Sequence, residues 1–184
     1  MKRIAHLTIL VLYSCFAFSQ SNRVQFEHLS VKDGLSQLSV LAIYQDAEGF
    51  MWFGTRNGLN KYDGYDFHIF RESDPDNYIS HSHIECMAED GNGHLWVGTK
   101  RGLNRYDRAT GSFKQYYHSD NDSTISDNNP ICLLKDTQGD LWVGSLRGLD
   151  RYLPETDNFV RCSFDGLLAE ITVHALAEDH DKNL

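Results

Sequence analysis

The chain is short of proline, three residues in 184, and no proline-rich linker or low-complexity stretch divides it. It also lacks a basic stripe. Lys and Arg total 17 against 26 Asp and Glu, for a net charge of −9. That balance offers nothing to neutralise a phosphate backbone, so nucleic acid is excluded as a partner. Outside the first twenty residues no segment carries an apolar stripe of period 3.6, which argues against a helical architecture. A long hydrophobic run occurs once, from Ile4 to Phe18. It is about 15 residues long where a membrane helix needs about 20.

That run follows Lys2 and Arg3, and Ala17-Phe18-Ser19 places small residues at the −3 and −1 positions of a cut. Residues 1–20 therefore read as a secretory signal peptide. An uncleaved anchor and a lipoprotein signal ending at Cys15 are the alternatives; Tyr13 fits the second poorly. The mature chain is therefore expected to be exported.

What is present is repetition. Trp52, Trp96 and Trp142 stand 44 and 46 residues apart in copies of one phrase: Asp46–Asp63, Asp90–Asp107 and Asp136–Tyr152. A fourth copy opens at Asp179. A period in the forties built of β-rich copies signals a repeat architecture. Each copy starts at Leu35-Ser36, Ile79-Ser80, Ile125-Ser126 or Leu168-Ala169. A short apolar segment follows: Val40 to Tyr44, Ile84 to Ala88, Ile131 to Leu134, Val173 to Ala177. Then comes a DxxG turn whose Asp (Asp46, Asp90, Asp136) caps its own backbone. Lys182 replaces the turn glycine in the fourth copy, a departure expected to weaken that turn or change its type.

The tryptophan segment is apolar on both faces, as in a strand buried on both sides. Gly54, Gly98 and Gly144 follow the tryptophans by two residues, which suggests close approach by a neighbour. A tight turn leads to a third segment ending in Tyr62, Tyr106 or Tyr152. A more polar fourth segment begins at Phe67, Phe113 or Phe159. Four short antiparallel strands with both faces buried make one blade of an all-β propeller. A stacked solenoid would have shorter repeats. The expected organisation is an N-terminal strand in 21–34 that closes the ring, using Val24–Leu29, then blades at 35–78, 79–124 and 125–167 and a truncated blade at 168–184. Three and a third blades cannot close a ring, so the remaining blades are expected downstream.

Four cysteines in an exported chain raise the question of disulfides. Cys86 and Cys132 each lie four residues before the turn Asp, where the other copies have Ala42 and Ala175. That register reads as a slot for a small buried side chain; a bridge would need Cα atoms within about 7 Å.

The phrase DxxGxLWxGTxxGLxRYD at Asp90–Asp107 closely resembles the two-component regulator propeller repeat, and the likeness covers nearly all of Val24–Leu184. The resemblance implies a periplasmic sensor region ahead of a membrane helix and a histidine kinase, with an oligosaccharide as ligand and the other signalling domains as partners. No kinase nucleotide motif or phosphoacceptor helix is visible in this chain. A secreted propeller enzyme and a non-catalytic scaffold are the competing readings.

No catalytic, metal or cofactor site is read from the sequence. His81 and His83 share their positions with Gln37 and Ser39, then Asp127 and Asn129, in other copies, so they read as loop polar scatter. Asp120–Thr124 fails as a calcium loop because Ile125 and Ile131 stand where Gly and Glu belong. Lys61, Arg105 and Arg151 read as charges at a blade edge. Sugar rings favour aromatic platforms, and Tyr65, Tyr78, Tyr116 and Tyr117 lie in or beside the non-repeating connections. They are the ligand-binding candidates, whereas Tyr62, Tyr106 and Tyr152 recur and read as core.

Overall fold

The computed structural model describes residues 26–75, 78–121, 123–163 and 171–184. These fold into three four-stranded antiparallel sheets, each ordered as the chain runs. Blade 1 has β1 (Val40–Gln45), β2 (Met51–Thr55), β3 (Gly58–Tyr62) and β4 (Phe67–Phe70). Blade 2 has β5 (Ile84–Glu89), β6 (Leu95–Thr99), β7 (Gly102–Asp107) and β8 (Ser112–Tyr116). Blade 3 has β9 (Pro130–Lys135), β10 (Leu141–Ser145), β11 (Leu149–Leu153) and β12 (Asn158–Arg161). The first strands β1, β5 and β9 lie side by side, so the sheets fan out from them as propeller blades do.

Turn chemistry sets the hairpins. Asp46 Oδ1 accepts the backbone N–H groups of Glu48 and Phe50 at 3.0 and 2.9 Å. Asp90 does the same for Asn92 and His94, and Asp136 for Gln138 and Asp140. The other carboxylate oxygen of each accepts the indole N–H of Trp52, Trp96 or Trp142, all at 2.8 Å. One Asp therefore closes the turn and satisfies the polar end of a large core side chain, which must be paired once buried.

The indoles face the following blade. Trp52 packs with Phe70 of its own blade and with Ile84, Val97 and Tyr106 of blade 2. Trp96 packs with Leu141, Val143, Tyr152 and Phe159 of blade 3. Both are wholly buried, whereas Trp142 is partly exposed. Among the described residues the segment 171–184 forms no strand; Val173 N–H bonds to Ser145 O at 2.9 Å, and its side chain lies against Gly144.

The glycines two residues on explain how blades come this close. Gly54, Gly98 and Gly144 pair across the sheet with Ala42, Cys86 and Cys132. A Cβ on Gly98 would sit 2.5 Å from Cys86 Sγ and 3.1 Å from Pro130 Cβ of the next blade. At Gly144 the neighbours are Cys132 Sγ at 2.5 Å and Val173 at 2.8 Å; at Gly54 they are Ile84 at 2.6 Å and Ala42. Two small residues thus admit the next blade. Cys86, Cys132 and Cys162 are free thiols, and burial pushes the Cys86 thiol well up.

The lead-in Ser residues tie each blade to its connection. Ser36, Ser80 and Ser126 donate backbone N–H groups to Asn60, Asn104 and Asp150, each at 2.8 Å.

Among the described residues Phe26–Leu29 pairs with no strand, and Phe26 is 90% exposed; the ring-closing role expected of 21–34 needs a last blade to join. Val24, Gln25, the signal segment and Leu168-Ala169 lie outside the described residues. The fourth DxxG turn keeps its type despite Lys182. Asp179 Oδ1 accepts from Asp181 and Asn183 N–H groups at 2.9 Å, and Lys182 takes the glycine's place at a φ of 65°.

Candidate functional site

The gaps between blades carry the polar chemistry, and the two complete gaps differ. Between blades 2 and 3, Asp157 in the β11–β12 turn reaches back into blade 2. It has a φ of 54°, a left-handed conformation that usually calls for Gly or Asn. Its Oδ1 accepts the hydroxyls of Tyr116 and Tyr152, both at 2.7 Å, and the Arg105 guanidinium at 3.1 Å. Lys114 pairs with Oδ2. Arg105 also donates to the Tyr152 hydroxyl at 2.6 Å. Burial works to raise the Asp157 carboxyl; the donors from Lys114, Tyr116 and Tyr152, with Arg105, overcome it and hold it at about 2. Burial and the bond to Asp157 push the Tyr152 phenol up to about 12.

Arg105 therefore does not sit at a solvated blade edge, as its recurrence suggested. It is half-buried in a carboxylate clasp. Sequence reasoning missed Asp157 because it does not recur. The available signal was the alignment of Thr110-Gly111-Ser112-Phe113 with Thr156-Asp157-Asn158-Phe159.

Between blades 1 and 2 the same place is a cavity of about 480 Å³ lined by Phe50, Lys61, Phe70, Tyr106 and Gly111, among others. Deeper in this gap Arg108 pairs with Glu89 and approaches Asp46 Oδ2 at 3.5 Å and Glu48 Oε2 at 3.7 Å. Glu89 Oε2 also accepts from the Ala47 N–H and the Tyr44 hydroxyl, at 3.2 and 3.3 Å. Glu178 plays the matching part for Thr137 of blade 3, at 2.8 Å. Lys135 stands at that position in blade 3, and there Gly91 N–H bonds to Gly139 O instead, at 3.0 Å.

The four candidate tyrosines do not converge. Tyr65 is 89% exposed in the β3–β4 turn. Tyr116 is built into the gap between blades 2 and 3, with its hydroxyl on Asp157 and its ring 5.1 Å from that of Trp96. Tyr78 and Tyr117 do come together at the opposite end of the blades from Tyr65. Gln115 bridges them, donating to Tyr78 O at 3.1 Å and accepting the Tyr117 hydroxyl at 2.6 Å. Both rings are half exposed, and Tyr117 rests against Gly102 of the β6–β7 turn.

His81 and His83 stay in the connection, against Glu72 at 3.8 Å and Glu85 at 3.3 Å. His94 rests on Asp90 at 3.0 Å. Among the described residues no group of three or more His, Cys, Asp or Glu side chains could hold a metal ion. None of their helices is long and apolar enough to cross a membrane.

Fold and site together define an arc of propeller blades with polar clefts between them and two half-exposed tyrosine rings at one end. Residues 34–57, 75–101 and 124–147 match the two component regulator propeller family, and the chain's blades are repeats of that family. The chain is 44% identical over 71 residues to a histidine kinase, P4, of Formosa agariphila, a match covering 37% of this chain and 5% of that one. It is similar to the extracellular domain of a hybrid two component system from B. thetaiotaomicron, at 30% identity and a TM-score of 0.68 over 74% of this chain and 20% of that one. Virginiamycin B lyase from Staphylococcus aureus shares the fold at 13% identity and a TM-score of 0.58, over 81% of this chain and 48% of that one. The chain thus spans a small part of the sensor proteins that it matches.

Proposed function

We propose that this chain is the start of the exported, ligand-recognising propeller of a two-component sensor histidine kinase, and that its ligand is glycan-derived. The similarity to an extracellular domain of a hybrid two component system, carried through three consecutive blades, is the observation that supports this reading most. Residues 1–20 serve export, blades 35–78, 79–124 and 125–167 with the opening of a fourth at 168–184 form the ring's first arc, and the segment 21–34 joins its last blade. The contribution of this chain is binding; phosphoryl transfer belongs to domains outside it.

Tyr78 and Tyr117 form the recognition surface. Their rings are exposed, and Gln115 holds them at one end of the blades. Aromatic faces suit sugar rings because stacking covers the C–H face while hydroxyls stay free to hydrogen-bond. The test is calorimetric titration of the exported region of the natural-length protein with a panel of oligosaccharides, repeated on Tyr78→Ala and Tyr117→Ala. A bound oligosaccharide whose affinity drops in both variants supports the reading. No binding across the panel, or variants that bind as the parent does, overturns it. Mass measurement of the secreted product checks the export signal, with cleavage expected at Ala17-Phe18-Ser19, within one residue of the 1–20 boundary.

A further inference from the structure

The two inter-blade gaps are the same site in two states of filling. Lys61 and His68 are cross-strand partners on β3 and β4, as Arg105 and Lys114 are on β7 and β8. Tyr106 stands where Tyr152 stands in the next blade, and Gly111 where Asp157 does. In the gap between blades 2 and 3 the cations and the tyrosine all turn to the Asp157 carboxylate. In the gap between blades 1 and 2 Lys61, His68 and the tyrosine stand at the matching positions, and a glycine takes the place of Asp157.

Three observations show that this gap is left unfilled. Lys61 makes no ion pair among the described residues; its ammonium lies 3.7 Å from the Phe50 ring centroid. Tyr106 lines the cavity, whereas Tyr152 at the matching place in the next gap gives its hydroxyl to Asp157 at 2.7 Å. A Cβ built on Gly111 would lie 3.9 Å from the Tyr106 hydroxyl, so a side chain at this position would reach it, as Asp157 reaches Tyr152.

We propose that the cleft between blades 1 and 2 binds a small carboxylate-bearing ligand, a sugar acid, whose carboxylate takes the place that Asp157 fills in the next gap. Lys61 and the Tyr106 hydroxyl hold the carboxylate, with His68 at the mouth. The apolar wall is Phe70, which replaces the Tyr116 of the filled gap and offers a ring face without a competing hydroxyl. The volume suits one or two sugar rings. Asp63 and Asp66 also line the cavity. Asp63 spends Oδ1 on its own turn, accepting from Tyr65 and Asp66 N–H groups at 2.8 Å, and the pair limits the cleft to a single ligand carboxylate. The carboxylate site stands on the geometry of the gap, while its assignment to a sugar rests on the function proposed above.

The test is calorimetric titration of the natural-length protein with D-glucuronate, D-glucose and N-acetyl-aspartate amide. Glucuronate is expected to bind and glucose not. Gly111→Asp should weaken glucuronate binding by about tenfold or more, since it supplies the carboxylate internally, and should raise the melting temperature. Lys61→Met should weaken binding by about tenfold, the loss of one charge-assisted contact, and decides the matter if Gly111→Asp fails to fold. Glucuronate binding unchanged in both variants overturns the proposal. So does equal binding of glucose, or binding of the aspartate amide alone, which would make the natural occupant a polypeptide side chain. A neutral oligosaccharide that binds in a Tyr117-dependent way and is indifferent to Gly111→Asp would leave the recognition reading standing while glucuronate decides this cleft.

Discussion

Trp96 donates its indole N–H to Asp90 Oδ2 at 2.8 Å, and the other oxygen of the same carboxylate closes the turn that precedes the tryptophan strand. One side chain joins the hairpin to the inter-blade core. Asp90→Ala leaves a buried indole N–H and two turn N–H groups without acceptors, each costing about 1–3 kcal/mol when water cannot replace the partner. The turn groups are half exposed, so the expected net loss is about 2–4 kcal/mol, read by urea unfolding. A loss below about 0.5 kcal/mol, the level of an ordinary surface change, would refute the coupling. Burial works to raise the Asp90 carboxyl, and the Trp96 and His94 donors win, leaving it below the usual range. A depressed folded value means that this stability is present above the unfolded carboxylate value and is lost as pH falls through the folded one.

The pairing of Gly98 with Cys86 predicts non-additive mutations. Gly98→Ala forces a methyl to 2.5 Å from Cys86 Sγ and 3.1 Å from Pro130 Cβ. Overpacking of this kind costs about 1–3 kcal/mol. Cys86→Ala opens a small void and costs less. The double variant should recover part of the Gly98→Ala loss, because the thiol clash is gone while the Pro130 contact remains. A double-mutant cycle in denaturant measures this; strict additivity would show that the two sites do not touch.

Asp157 predicts an acid transition localised to one gap. Its folded carboxyl, at about 2, lies below the unfolded value of 3.8. Its stabilisation is therefore complete above about pH 4 and fades between there and about pH 2. Asp157→Asn should be less stable than the parent at pH 7 by about 1–2 kcal/mol, a figure reduced for its partial exposure. The two proteins should converge as pH falls toward 2, and a constant difference across that window would remove the clasp from the stability of the fold.

The repeat carried most of the architecture into view. Trp52, Trp96 and Trp142 marked the buried strands, and Gly54, Gly98 and Gly144 marked the close approach, because each recurs for a reason that every blade shares. What escaped was what occurs once. Asp157 interrupts the glycine register in a single blade, and Phe70 for Tyr116 is a one-atom change to the cleft wall. Lys182 was expected to disturb its turn, yet Asp179 holds the turn through its own carboxylate whether or not glycine is present. Tyr116 looked like a connection residue from its place in the chain; only the fold shows its hydroxyl on Asp157. Periodicity reports shared packing, so differences between blades, where ligands are discriminated, stay invisible to it.

The exposed face of blade 1 gives a last prediction with two arms. Met87 and Leu133 occupy matching positions on β5 and β9, and each packs against the tryptophan cluster of the blade before it. Ile43 holds that position on β1 and is 61% exposed, with Leu41 beside it on the same face at 40%. An apolar strand face of this kind favours self-association when uncovered. Residues 21–184 produced alone should therefore associate, and Ile43→Lys should shift them toward monomer in sedimentation velocity. In the natural-length protein a closed ring would place the last blade on this face. The same substitution should then lower the melting temperature, by burying a charge against an apolar cluster. A monomeric, cooperatively melting short chain, or a natural-length protein indifferent to Ile43→Lys, would mean that no blade packs on β1.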